Sequence, residues 1–179
     1  MRPPLLPAEI LRRVIQRARL NGWSVVIFAG LCALGSLVFR DFLGASVGLL
    51  VTLGGTLEVR GYRMLKRHDA GGMRWLVGSQ FVVLVVIWAY GISRLSGNND
   101  QMVRTVFTLG MRRSLGELGL TLDDILPQLR LLIGVLYGSV LTTALIYQGG
   151  LALYYHSRTP AVESALNSAR ATGSIPPVL

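Results

Sequence analysis

The chain has 179 residues, 51% of them hydrophobic, and a mean hydropathy of +0.51. This is too apolar for a soluble domain of this size and indicates a membrane protein with room for about four short spans. The formal net charge of +9 comes almost entirely from arginine. In a soluble protein it would suggest nucleic-acid binding, but in a membrane protein such charge belongs to loops that meet anionic headgroups. We therefore expect membrane lipids, and no nucleic acid, as partners.

Motifs that would indicate an enzyme or a cofactor site are absent from the sequence. There is no phosphate-binding loop, nucleophile elbow or zinc motif, and both histidines, His68 and His156, lie where predicted spans begin or end. A single cysteine, Cys32, excludes an internal disulfide framework and a metal site built from several thiolates. We predict a protein that is not an enzyme and has no catalytic residue, metal or cofactor.

Residues 1–21 predict a basic amphipathic segment on the cytoplasmic side. The apolar residues that share one helical face are Ile10, Leu11, Val14, Ile15 and Ala18. Such a helix either lies in the plane of the headgroups or is a basic leader into the first span, and both interpretations remain open. We exclude a cleaved signal peptide, because the basic region is long and another apolar run begins directly after Asp41.

Four apolar runs are long enough to cross a bilayer. We predict spans at about 22–39, 42–61, 75–93 and 131–155. The last run is uncharged and corresponds to about 37 Å of helix, whereas the hydrocarbon layer is about 30 Å thick. Small residues that let membrane helices approach closely recur along the second and fourth spans. They are Gly44, Gly48 and Thr52, and Gly134, Gly138 and Thr142.

Two segments outside the spans carry separate predictions. We expect 94–130 to form an outer loop with a helix of its own, because apolar residues recur at helical spacing from Val103 to Leu118. Thr121 and Asp124 have the spacing of a helix-capping box. Residues 159–179 have too few apolar residues for a core and predict a disordered cytoplasmic tail.

The fold class that follows is all-α. We predict a polytopic membrane protein with a four-transmembrane-helix bundle over 22–158, an amphipathic N-terminal helix and a helical outer loop. The eighteen Lys and Arg residues divide into twelve on the side of both tails and the 60–74 loop and six on the other side. Positive residues favour the cytoplasm, so we place both termini there. The preference for Arg over Lys suits a GC-rich bacterium, so the membrane that we expect is a bacterial inner membrane.

All four predicted spans place a polar residue in the inner leaflet. These candidate site residues are Asn21, Glu58, Ser79, Gln80 and Gln148. Polar groups at that depth are costly unless they meet one another, so we expect them to face the bundle interior. One interpretation is a ligand or ion pocket in which Glu58 binds a cation or proton. The other is an interhelical hydrogen-bond clamp, with Glu58 paired to Arg60, Arg63 or another basic neighbour.

The function that the sequence favours is a non-enzymatic structural, lipid-binding or accessory-subunit protein, as a homo-oligomer or with a partner membrane subunit. The alternative is an oligomeric small channel or transporter with an inner-leaflet site around Glu58. The residues that we expect at lipid headgroups are Arg12, Arg13, Arg17, Arg60, Arg63 and Arg67.

Overall fold

The computed structural model describes residues 6–96 and 121–172, together with 117 and 119. The regular structure in those ranges is helical, and each of the four helices is long and apolar enough to cross a membrane. Over these described residues, the prediction of an all-α fold with four such helices is confirmed. The stripe predicted between Val103 and Leu118 lies outside the described residues. The helices are α1 (Pro7–Val38), α2 (Phe42–Lys66), α3 (Gly72–Ser96) and α4 (Leu122–Thr172).

The chain divides into two compact units. One contains Met1–Ile87 and Leu145–Leu179, and the other contains Trp88–Ala144. In the second unit the rings of Tyr90 and Tyr137 meet edge to face with centroids 6.2 Å apart. The candidate site lies entirely in the first unit.

The capping box predicted at the start of α4 forms in part. The backbone N–H of Thr121 donates to the Asp124 carboxylate at 2.8 Å, and the Thr121 hydroxyl donates to the same oxygen at 2.6 Å. These hydrogen bonds from Thr121 hold the pKa of Asp124 below its ordinary value. The acidic side chain therefore satisfies the orphan backbone N–H of Thr121 at the start of the helix.

Helix α1 joins the basic N-terminal segment and the first span into one continuous element. It begins at Pro7, where the missing proline N–H costs nothing because a first-turn N–H has no intrahelical partner. A tight turn follows, with Arg40 at a positive φ of 58°. Asp41 then caps α2 by accepting a hydrogen bond from the Gly44 N–H at 3.0 Å.

Helix α4 has 51 residues, about 77 Å of helix, and therefore extends well beyond one hydrocarbon layer. The disordered tail predicted over 159–179 is wrong for residues 159–172, which continue this helix. Val162 and Leu166 are 0% and 1% exposed, since they pack into the main hydrophobic core. The composition of the tail wrongly indicates disorder, because α1 and the α2–α3 end supply most of the core into which the tail packs. Residues 173–179 lie outside the described part.

The main core shows what covers the apolar face of residues 1–21. Ile10, Leu11, Val14, Ile15 and Ala18 belong to one cluster with Leu65 and Met73, near the α2–α3 turn, and with Val162 and Leu166 of α4. This face is covered by protein and is unavailable to a headgroup layer. The same contacts place the start of α1, the α2–α3 turn and the end of α4 at the same end of the first unit.

Close packing of α1 on α2 depends on glycine. A Cβ added to Gly48 would lie 2.8 Å from the Cβ of Ala33, and one added to Gly55 would lie 3.0 Å from Val26. The small-residue pattern of the second span therefore contacts α1. The corresponding positions of α4 belong to the second unit, and within that unit a Cβ built on Gly134 or Gly138 meets no described atom within 4 Å other than its own stretch of helix.

Candidate functional site

The centre of the site is the carboxylate of Glu58, which is 2% exposed. Its Oε2 accepts a hydrogen bond from the Asn21 side-chain amide at 2.7 Å. Its Oε1 accepts a hydrogen bond from the Tyr155 hydroxyl at 2.8 Å. One acidic side chain of α2 thereby joins α1 to α4, and each carboxylate oxygen has a donor.

A second tyrosine extends the cluster along α4. The Tyr147 hydroxyl donates to Oδ1 of Asn21 at 2.7 Å, so the Asn21 amide uses both its oxygen and its nitrogen. Tyr147 and Tyr155 are about 12 Å apart along the helix axis. The result is a continuous chain of hydrogen bonds, from Tyr147 through Asn21 and Glu58 to Tyr155, which we call the Glu58 network.

The glycine beside Asn21 explains why α1 comes this close to α2. A Cβ on Gly22 would lie 3.1 Å from Cγ2 of Val59 and 3.4 Å from Cβ of Glu58. The backbones therefore approach at the level of the network, within the reach of the short Asn21 side chain. A bulky residue at this position would separate the two polar groups.

Helix α3 contributes Ser79 and Gln80, both buried, to the same region. The Ser79 hydroxyl donates to the Leu76 carbonyl at 2.8 Å, and the Gln80 amide donates to Ser79 Oγ at 3.3 Å. The Gln80 amide also lies close enough to interact with the Glu58 carboxylate. The structure thus brings together buried polar residues of all four helices in one region of the first unit.

Two buried amide oxygens remain outside the network. Oε1 of Gln80 and Oε1 of Gln148 have no hydrogen-bond partner among the residues that the structure describes. Gln148 is buried next to Tyr147, but its carbonyl makes no contact that closes the network. A buried acceptor without a donor costs free energy, so these two oxygens are the polar atoms of the cluster with remaining binding capacity.

The predicted arginine partners of Glu58 lie elsewhere, so that part of the clamp interpretation is wrong. The Arg60 guanidinium lies 4.6 Å from the Trp75 ring centroid, and Arg63 is exposed. Within residues 6–96 and 121–172, no Lys or Arg nitrogen forms a salt bridge with Glu58. The carboxylate is held by uncharged donors, because α2 carries its arginines on a different face from Glu58.

Sequence reasoning missed both tyrosines. Tyr147 and Tyr155 lie in the uncharged fourth predicted span, and a tyrosine hydroxyl inside a membrane needs a hydrogen-bond partner. Their spacing of eight residues, on either side of Gln148, is the signal that points to a polar face on α4.

The predicted headgroup arginines fall into two groups at the surface of the first unit. Arg60, Arg63 and Arg67 line one groove of about 650 Å³, between α1 and α2, which we call the α1–α2 groove. Arg13 and Arg17 line another cavity of about 320 Å³, together with Arg158. Arg12 is exposed and belongs to neither lining.

Comparison with known proteins identifies no relative of this chain. No protein-family model, curated protein or solved structure matches the chain.

Proposed function

We propose that the chain is a small non-enzymatic integral membrane protein of a bacterial inner membrane that works by binding lipids and other membrane proteins. The observation that carries this proposal is the closure of the Glu58 network. Both carboxylate oxygens of Glu58 accept hydrogen bonds from other helices, so this buried acid serves to join α1, α2 and α4. Interhelical hydrogen bonds of this kind hold a membrane bundle together.

The exposed apolar surface supports the membrane location. Large hydrophobic side chains of α1 and α2 are more than half exposed, which would be costly in water and is favourable against lipid chains. They include Phe28, Leu31, Leu34, Phe42 and Leu53. The finer proposal is a polytopic four-helix bundle whose α1 begins as a basic amphipathic helix, with a helical outer loop after α3.

Both termini are proposed to lie in the cytoplasm. The first and last helical segments pack in one core with the α2–α3 end, so they belong on the same side of the membrane. Two thirds of the Lys and Arg residues belong to that side, and such residues are enriched in cytoplasmic segments.

Cysteine labelling tests this topology, because Cys32 is the only native cysteine. In a Cys32→Ser background, Phe39→Cys marks the α1–α2 turn and Asn167→Cys marks the end of α4. A membrane-impermeant maleimide should label Phe39→Cys in intact spheroplasts and Asn167→Cys only after permeabilisation. The reverse pattern would refute the orientation, and labelling of both in intact cells would refute the hairpin arrangement.

The alternative proposal is an oligomeric channel or transporter whose inner mouth includes Glu58. The specific observation in its favour is the pair of buried oxygens on Gln80 and Gln148. These oxygens can coordinate a cation or accept a hydrogen bond from a ligand hydroxyl. Reconstituted protein would then conduct ions or solutes, and Glu58→Gln would change the flux. Absence of flux for the wild-type protein in sealed vesicles, across inorganic cations and small solutes, supports the non-conducting proposal.

A further inference from the structure

The α1–α2 groove combines three arginines with an apolar wall. Thr56, Arg60, Arg63 and Arg67 follow one another at intervals of four, three and four residues, so they share one face of α2. The opposite wall is formed by Trp23 and Val26 of α1. The groove is therefore cationic along α2 and apolar along α1.

The charge in this groove is not neutralised by the protein. All three arginines are exposed, and no carboxylate in the described part of the chain forms a salt bridge with them. The two nearest acids along the chain have other partners: Glu58 accepts hydrogen bonds from Asn21 and Tyr155, and Asp69 accepts one from the Gly71 N–H at 2.8 Å. Arg60 and Arg67 are about 10 Å apart along the helix axis, so an anion between them relieves the repulsion among like charges.

One of the guanidinium groups is held in place. Arg60 stacks on Trp75, with its guanidinium carbon 4.6 Å from the ring centroid. Stacking leaves the N–H groups at the edge of the guanidinium plane free to donate in pairs, which is the geometry that suits phosphate oxygens.

The apolar wall distinguishes a lipid from a free phosphate. Val26 and Val59 line the groove, and the residues that precede Arg60 on α2 lie progressively deeper in the proposed membrane. Ile27 of α1 and Leu53 of α2, 58% and 56% exposed, continue the apolar surface beyond the groove. A headgroup on the arginines would therefore have a path for its acyl chains along α1 and α2.

We propose that the α1–α2 groove binds one anionic phospholipid, with its phosphate on Arg60, Arg63 and Arg67 and an acyl chain against Trp23 and Val26. The volume of about 650 Å³ falls in the range of small-molecule sites. This inference rests on the proposed membrane location and adds a specific site and lipid class to it.

The cavity that contains Arg13 is a weaker candidate for the same role. Arg13 is paired with Glu9 at 2.6 Å, and Arg17 and Arg158 both lie over the Tyr154 ring. The Arg13 charge in this cavity is thus already neutralised by a carboxylate, whereas no carboxylate in the described part of the chain pairs with the three groove arginines.

Native mass spectrometry of the full-length protein in mild detergent tests the site. The probes are phosphatidylglycerol and phosphatidylcholine with identical acyl chains. We expect the wild-type protein to retain one phosphatidylglycerol in preference to phosphatidylcholine. The triple variant Arg60→Gln, Arg63→Gln, Arg67→Gln should lose at least about tenfold in phosphatidylglycerol affinity.

The matched control is Arg19→Gln, Lys66→Gln, Arg74→Gln, which removes the same charge from exposed residues outside both cavity linings. It should bind phosphatidylglycerol like the wild-type protein, and an equal loss in both triple variants overturns the proposed site. A second variant, Thr56→Trp, fills the groove without a change of charge and should also reduce binding. Equal binding of both lipids overturns the proposal as well.

Inorganic phosphate serves as the competitor that separates the two possible sources of the anion. Displacement of the lipid by millimolar phosphate would show a free-anion site and overturn the commitment to a lipid. Resistance of the protein to carbonate extraction from membranes reports the proposed membrane location separately. A protein that resists extraction but fails the lipid test contradicts only this inference.

Discussion

The Tyr155 hydroxyl donates a hydrogen bond of 2.8 Å to Glu58 across 97 residues of sequence. The Asn21 amide holds the other carboxylate oxygen from a third helix. This buried carboxylate has two uncharged donors and no neighbouring cation in the described chain. The stability of the folded protein therefore depends strongly on each donor. This relationship makes the network sensitive to single substitutions on three separate helices.

Tyr155→Phe should destabilise the protein by about 1–2 kcal/mol, because it removes one of the two donors to a buried carboxylate. The measurement is equilibrium unfolding in mixed detergent micelles. Tyr154→Phe is the matched control, since its ring remains available to Arg17 and Arg158. Similar stability of the two variants would show that the Tyr155 hydrogen bond contributes little.

Glu58→Leu and Glu58→Gln should differ. Leucine leaves the Asn21 amide and the Tyr155 hydroxyl unpaired, at a cost of about 1–3 kcal/mol more than glutamine. Glutamine is tolerated because the tyrosine hydroxyls can accept hydrogen bonds as well as donate them. The Asn21 side-chain amide can also rotate by about 180° to exchange its oxygen and nitrogen. The same unfolding measurement applies. Equal destabilisation by both substitutions would mean that the negative charge itself is required, contrary to a purely structural network.

Gly22→Leu should destabilise the bundle by about 1–3 kcal/mol, because a side chain there meets the Val59 backbone nitrogen, 3.2 Å from the added Cβ. The control is Gly35→Leu in the same helix, where no described atom lies within 4 Å of the added Cβ. Thermal unfolding followed by circular dichroism compares the two variants. A destabilised Gly35→Leu and an unaffected Gly22→Leu would contradict the α1–α2 packing.

Leu166→Ala should cost about 2–5 kcal/mol, since the side chain is 1% exposed in the core that joins the end of α4 to α1. Asn167→Ala, at the exposed neighbouring position, should be nearly neutral. Hydrogen exchange followed by mass spectrometry should show protected amides over 159–170 in the wild-type protein. Rapid exchange throughout that segment would restore the prediction of a disordered tail.

The helical class and the position of the polar residues near one end of each apolar helix can be read from the sequence. Long uncharged runs can satisfy their backbone groups in lipid only as helices, so composition and length already determine the elements. Asn21, Glu58, Ser79 and Gln80 were placed near one level because each lies close to the same end of its span. Helix type and position along a helix follow from the order of residues alone, and they do not require knowledge of which helix faces contact each other.

The tertiary structure decided which polar groups pair. The rotation of α2 places Glu58 inside and Arg60 at the surface, so the carboxylate meets Asn21 and Tyr155 instead of an arginine. It also decided that residues 159–172 form a helix. Their few apolar side chains are enough for a hydrophobic core only because α1 and the α2–α3 end supply the rest of it. Helix rotation and shared burial depend on contacts between residues far apart in the chain, and these cannot be read from local composition.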